Sequence, residues 1–220
     1  MSPDFDLYRF VLMFIPLLFA VTIHEAAHGY AAFRFGDSTA RDAGRLTLNP
    51  IRHIDPLGSV IIPLVLIISG APFLFGYARP VPVNFSRLNP IRQGMMVVAA
   101  AGVTANICCA IASGLIFQGV RAIAPIWAGS AFSPAVGDLL QLLFYSAVIN
   151  TVLFVFNLIP VPPLDGSRIV STFLPPGLAR QYARIEPFGM LIIIFLIVAG
   201  PVDKLFQFFI APMINLFLGQ

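Results

Sequence analysis

Long apolar runs alternate with short polar ones along this chain, and the lengths of the runs set the first expectation. A helix of about 17–25 apolar residues spans a bilayer. The first run covers about 7–33; it is uncharged from Phe10 to Ile23 and then meets His24, Glu25 and His28. The second, about 57–78, is interrupted by Pro63, Gly70 and Pro72. The third covers about 94–120 and the fourth about 136–159. A fifth begins near Phe188 and breaks at Gly200-Pro201, and a short amphipathic stretch, about 203–218, follows it. The pattern predicts an all-α polytopic membrane protein, a helical bundle of about 4–6 membrane segments. No internal repeat, low-complexity tract or soluble accessory domain breaks it. The expectation is one domain over 1–220, with a core at about 7–175 and C-terminal helices at 188–218. One stretch departs from helical periodicity. In Gly44-Arg45-Leu46-Thr47-Leu48-Asn49-Pro50, two leucines alternate with polar residues between a glycine and a proline. That is the signal of a short β element, the alternative being a loop with incidental alternation.

Composition agrees. Hydrophobic residues make up 58% of the 220 and charged residues only 10%, against about 25% charged in a soluble domain. Mean hydropathy is +0.90. These values exclude a disordered tail, a coiled coil, a nucleic-acid module and an ordinary soluble enzyme. The N-terminus lacks a basic region and the first apolar run lacks a small-residue cleavage site, so that run is expected to be retained as a membrane helix. The small basic excess (13 Lys+Arg, 10 Asp+Glu) carries a topology signal. Arg34, Arg41, Arg45 and Arg52 follow the first run; Arg79, Arg87 and Arg92 follow the second; Arg168, Arg180 and Arg184 follow the fourth. Basic loops favour the cytoplasmic face. All three groups reach that face only if 57–78 enters and leaves by the same side, a possible re-entrant segment that its Pro and Gly interruptions permit. A plain crossing is the alternative. The charge placement favours the re-entrant form, in which Asp4 and Asp6 face outward. Adjacent Cys108 and Cys109 are expected to be packing residues, and Trp127 an interface anchor.

The candidate chemistry begins at His24-Glu25-Ala26-Ala27-His28. Positions i and i+4 share one helical face, so the two imidazoles reach one ion. Glu25 is turned about 100° away around the helix, beside the ion, where it can take a proton from water. A carboxylate inside a spanning helix costs about 2.5–3.5 kcal/mol and needs a compensating partner. If the helix begins near Leu7, His24 lies roughly 25 Å from one end and about 14 Å from the other at 1.5 Å per residue. A zinc ion needs a further protein ligand. Asp165 is the best candidate: Pro160, Pro162 and Pro163 forbid a regular helix before it, and Gly166 lets the chain turn back. The alternative is that Asp165 caps the next helix. One Zn²⁺ with Glu25, Asp165 and two neutral histidines closes at zero net charge. His53 beside Asp55 suits a solvated loop pair, and the 21 Phe suit packing and lipid contact.

His24-Glu25-x-x-His28, together with Asn157-x-x-Pro160-x-Pro162-x-Leu164-Asp165-Gly166, resembles the site-2 protease family of intramembrane zinc metalloproteases, peptidase family M50. Gly44-Arg-Leu-Thr-Leu-Asn-Pro50 and Ala78-Arg-Pro-Val-Pro-Val-Asn84 resemble its short form without PDZ or CBS domains. The family's Ala-Gly-Pro in the third core helix is Ala101-Gly102-Val103 here, with Asn106 following. The resemblance implies that His24, His28 and Asp165 hold one zinc and that Glu25 activates water and protonates the leaving amine. It implies that Asn157 hydrogen-bonds the substrate backbone or the developing oxyanion; general packing is the alternative for Asn157. It also implies endoproteolysis of transmembrane substrates in a prokaryotic plasma membrane, toward the cytoplasmic side, with lipid but no nucleic acid as partner. An unwound substrate needs backbone partners. Arg45, Leu46, Thr47, Leu48 and Asn49 are expected to supply them by strand addition, with Asn106 facing the site. The competing functions are another membrane zincin of the prenyl-protein peptidase type and a membrane metal transporter. The first lacks the Asn-Pro-Pro-Leu-Asp-Gly context; the second needs polar residues in both halves of the bilayer.

Overall fold

A computed structural model describes residues 7–69, 78–200 and 204–219. Among the described residues three helices are long and apolar enough to cross a membrane: α1 (Leu7–Arg34), α4 (Ile91–Ile123) and α5 (Ser133–Asn157). They pack against one another in all three pairings. Between α1 and α4 lie a single turn, α2 (Thr39–Asp42), and α3 (Ile62–Ile68), which continues the wide turn Pro56–Ile61. After α5 come α6 (Asp165–Phe173), α7 (Pro176–Ala183) and α8 (Gly189–Val198), and last a C-terminal helix, Ala211–Leu218.

The packing of α4 follows from residue size. Gly94, Val98, Gly102, Asn106, Ala110 and Gly114 recur every fourth position and are all buried. In lipid no hydrophobic force drives helices together, so close backbone approach across small side chains supplies the contact. At Gly114 an added Cβ would stand 2.5 Å from the Phe217 carbonyl oxygen of the C-terminal helix. Gln118 Nε2 donates to that carbonyl at 2.7 Å, and Gly219 ends the helix in the left-handed conformation at φ 65°. Phe117, Ala147 and Leu218 close this end of the bundle. At the opposite end Ala32, Leu88 and Val98 form a second cluster with Phe35, Val83 and Phe85.

Several expectations change. Among the described residues there is no strand, and 44–50 is a bent loop. Several of its polar groups are held locally: Arg45 N–H donates to Ala40 O at 2.9 Å, Thr47 O accepts from His53 Nε2 at 2.9 Å, and Asn49 N–H donates to Thr47 Oγ1 at 3.1 Å. His53 is 1% exposed and serves as a staple, not a solvated loop residue. The fifth apolar run yields only the 10-residue α8, about 15 Å long and short of a span. Pro56–Ile68 is likewise too short to cross, and whether its chain crosses or re-enters turns on 70–77, outside the described residues. Gly166 sits inside α6 with no positive φ. Close approach requires it: an added Cβ would stand 2.2 Å from Leu158 O.

Candidate active site

α1 carries His24, Glu25 and His28, and α6 brings Asp165 across to them. The two His Nε2 atoms are 3.0 Å apart, and each is 3.3 Å from Asp165 Oδ2. Donors around a tetrahedral zinc at 2.0–2.1 Å stand about 3.3 Å from one another, so this triangle fits that ion. Asp165 Oδ2 is buried and has no hydrogen-bond partner, which leaves its lone pairs for a cation. Asp165 is the first residue of α6 and not its cap; the capping position is Leu164. The prolines after α5 prevent its continuation, and the turns through 158–164 start α6 beside α4.

The imidazoles are held from behind by α4. His24 Nδ1–H donates to Asn106 Oδ1 at 2.6 Å, and His28 Nδ1–H donates to Val98 O at 2.7 Å. Both contacts put the proton on Nδ1 and leave Nε2 as the ligand atom, the usual arrangement behind a metal-bound histidine. Gly102 lies one turn from each of these two positions. A Cβ there would stand 2.5 Å from His28 Nε2 and Cε1 and 2.7 Å from His24 Cε1, so only glycine leaves the rings their place. The stripe Val98-Gly102-Asn106 was not recognised from sequence as a support for the histidines. Its signal is the four-residue spacing of small residues with one amide among them.

Glu25 Oε2 accepts from the backbone N–H of Val81 at 2.7 Å. Val81 belongs to Ala78-Arg-Pro-Val-Pro-Val-Asn84, which crosses the open side of the site. The segment is tied at four more points. Arg79 N–H donates to His53 O (2.9 Å) and Asn84 N–H to Asp37 Oδ2 (2.7 Å); Arg45 Nη2 donates to Arg79 O (2.6 Å) and Pro80 O (3.5 Å). Burial pushes the Asp37 carboxyl up, but the Thr39 hydroxyl and the N–H groups of Asn84 and Thr39, with Arg87, hold it below the ordinary carboxylate range. A cavity of about 340 Å³ opens over His24, Glu25, His28 and Asp165, walled by Val81, Val83, Phe85, Asn157 and Arg168. Arg168, on α6, stacks over the Phe85 ring at 4.6 Å and lies 3.7 Å from Glu186; the sequence marks it only as part of the topology signal.

Residues 12–200 match the model of peptidase family M50. The chain belongs to peptidase family M50. It is 37% identical over 203 residues to "Putative zinc metalloprotease YwhC" of Bacillus subtilis (strain 168), covering 91% of this chain and 84% of that one. It is 30% identical over 201 residues to "Putative zinc metalloprotease Rip2" of Mycobacterium tuberculosis (strain ATCC 25618 / H37Rv), covering 90% and 70%. The Rip2 of Mycolicibacterium smegmatis is 28% identical over 202 residues. No solved structure matches significantly. This M50 member is a zinc metalloprotease and a membrane protein, and His24, His28 and Asp165 form the group able to hold its metal.

Of the other residues singled out by sequence, Asn157 lines the M50 site. Its Nδ2 donates to Leu153 O at 3.0 Å, which leaves a second N–H. Asn106 is fully buried behind His24, away from the cavity. Arg45 is buried under Arg79, while Leu46 packs at Gly29. Thr47, Leu48 and Asn49 do not line the catalytic cavity.

Proposed function

We propose that this chain is an intramembrane endopeptidase that hydrolyses peptide bonds within or near transmembrane helices, as a single domain with its catalytic core at about 7–175, in a prokaryotic plasma membrane with the site toward the cytoplasm. One observation carries the reading. Two of the three metal-ligating side chains and Glu25 sit on α1, a helix able to span a bilayer, and His24 lies ten residues from its C-terminal end. At 1.5 Å per residue that is about 15 Å below the helix end. Water and an unwound substrate must therefore meet inside the membrane thickness.

His24, His28 and Asp165 hold the zinc, which when bound supplies a Lewis acid for the scissile carbonyl and lowers the pKa of an attacking water to about 7. Glu25 takes the proton from that water and delivers it to the leaving amine. The Val81 N–H fixes one of its oxygens and leaves the other for the proton. Asn157, which also lines the cavity, donates its remaining N–H to the substrate carbonyl as charge builds on the oxygen. The unwound substrate needs backbone partners because lipid offers none. Val83 lines the cavity, and its peptide N–H and C=O have no partner among the described residues. Residues 45–49, by contrast, do not line that cavity.

The decisive experiment reconstitutes purified protein with a single-span reporter. Glu25→Gln keeps one zinc per chain and lowers cleavage by about 10²–10⁴-fold, the usual contribution of a positioned general base. Undiminished cleavage, or cleavage only of soluble peptides, refutes the proposal.

A further inference from the structure

The loop after α2 and the segment before α4 enclose a second cavity, of about 690 Å³, on the far side of Pro80 from the zinc site. Arg45, Arg52 and Arg79 line it with Ile51, Ile54 and Pro82, and no carboxylate does. Elsewhere in the molecule arginines have acidic company. Arg41 pairs with Asp42 at 3.1 Å and Arg168 lies 3.7 Å from Glu186, while Arg87 acts on Asp37. Here the guanidinium groups of Arg52 and Arg79 make no hydrogen bond or ion pair among the described residues. Arg45 is only 8% exposed. It uses Nη2 on the Arg79 and Pro80 carbonyls, and its Nε–H is buried with no partner. Burial first, then the charge of Arg79 and after it that of Arg52, hold Arg45 below the usual arginine range against the attraction of Glu25, which does not line this cavity.

Three like charges around one cavity, with a buried N–H left over, describe an incomplete site. The missing partner is an anion with several acceptor oxygens, which planar guanidinium groups recognise best. The surroundings say which kind. Ile51, which lines the cavity between the arginines, is 73% exposed, and Leu48 and Leu57, within a few residues of it in sequence, are 59% and 52% exposed, so cations and bare aliphatic side chains occur together on this loop. That combination suits a lipid surface, where anionic headgroups attract basic juxtamembrane segments.

We propose that this cavity binds the phosphodiester headgroup of an anionic phospholipid, with Arg45, Arg52 and Arg79 as donors. The zinc ligands take no part, so the site stands or falls independently of the protease reading. The two sites nonetheless share one segment. Arg45 grips the carbonyls of Arg79 and Pro80, and the next residue, Val81, holds Glu25.

The test titrates the full chain in detergent with dioleoyl phosphatidylglycerol, dioleoyl phosphatidylcholine and glycerol 3-phosphate, followed by native mass spectrometry. The expected result is one phosphatidylglycerol per chain, bound at least tenfold more tightly than phosphatidylcholine. That preference falls at least tenfold in Arg52→Gln/Arg79→Gln. Arg52→Gln alone, in the exposed loop, weakens it partway and serves if the double variant fails to fold, which its melting temperature reports. Equal binding of the two lipids, or undiminished preference in the folded variants, overturns the proposal. Glycerol 3-phosphate that competes as well as the lipid overturns it in favour of a soluble phosphate ligand.

Discussion

Asn106 is where the bundle core and the metal chemistry meet. It is fully buried, accepts from His24 Nδ1 at 2.6 Å, and donates to Asn150 Oδ1 at 2.8 Å and Ala20 O at 3.3 Å. Asn150 in turn donates to Ser146 O at 2.9 Å, and Ser146 Oγ meets Ser113 Oγ at 2.8 Å. Asn106→Ala removes the acceptor behind His24 and strands two polar atoms, His24 Nδ1–H and Asn150 Oδ1, in a dry interior. Each buried unsatisfied group costs about 1–3 kcal/mol of stability. The His24 half of that loss also reaches the metal, because an imidazole freed at Nδ1 turns and loses ligand basicity. Removing such a partner weakens metal binding by about 10–100-fold, or about 1.4–2.7 kcal/mol. The assay is competition for zinc against a chelator of known affinity, on purified protein, beside a melting curve. Asn106→Asp keeps the acceptor and is expected to bind zinc more tightly than Asn106→Ala. Ser113→Ala, at the far end of the chain of contacts, is expected to leave zinc affinity unchanged. If Asn106→Ala holds zinc like the parent protein, or Ser113→Ala weakens it equally, Asn106 is only a packing residue and the reasoning fails.

Other perturbations probe the remaining contacts. Gly102→Ala puts a methyl within 2.5–2.7 Å of both rings; the rings must move, so zinc content falls well below one per chain by metal analysis while helical circular dichroism persists. Asp165→Asn, which removes the charged ligand, is expected to lose zinc as well, and an unchanged stoichiometry would remove Asp165 from the ligand set. Val83→Pro deletes one N–H at the cavity wall and is expected to slow reporter cleavage with zinc unchanged; normal turnover would reject the backbone-docking role. Asp37 ties Asn84 to the start of the first loop. Its carboxyl titrates below the ordinary Asp value of 3.8, so the stability it adds is complete above that pH and is lost as pH falls through the lower folded-state value. Asp37→Asn should therefore melt below the parent protein at pH 7, and the gap should shrink below about pH 4; a gap independent of pH would assign the loss to packing.

The legible parts of this molecule share one property: their signal lies within a few residues. α1, α4 and α5 follow from uninterrupted apolar length, and the His24–His28 pair follows from one helical turn. Asp165 was reachable because few intramembrane acids compete with it and the prolines before it force a bend. The 44–50 alternation misled because a period of two shows a strand only where a partner strand exists. Among the described residues no strand lies beside it, and its Arg45 N–H and Thr47 O bond to Ala40 and His53 instead. Asn106 was noticed but assigned to the wrong side of the histidine in space, since sequence gives its helical face and not the depth of the cavity.

The contact that sequence hid most completely, Glu25 with Val81, spans 56 positions, yet its logic is local once the partner is known. In Arg79-Pro80-Val81-Pro82-Val83-Asn84 the prolines have no N–H and hold the chain extended through the residues that precede them. Only four donors remain. Arg79 gives its N–H to His53, Val81 to Glu25 and Asn84 to Asp37, and Val83 keeps its own. Alternating prolines thus thin a uniform row of donors to single, spaced ones, each able to meet one acceptor. A carboxylate that must stay ionised beside a metal needs one fixed donor and one free oxygen, and this spacing provides that. Replacing Pro82 with Ala adds an N–H between Val81 and Val83 and relaxes the chain. The expected consequence is a lower kcat with unchanged zinc content, as Glu25 samples positions away from the attacking water. An unaltered kcat would mean that Glu25 is positioned by α1 alone.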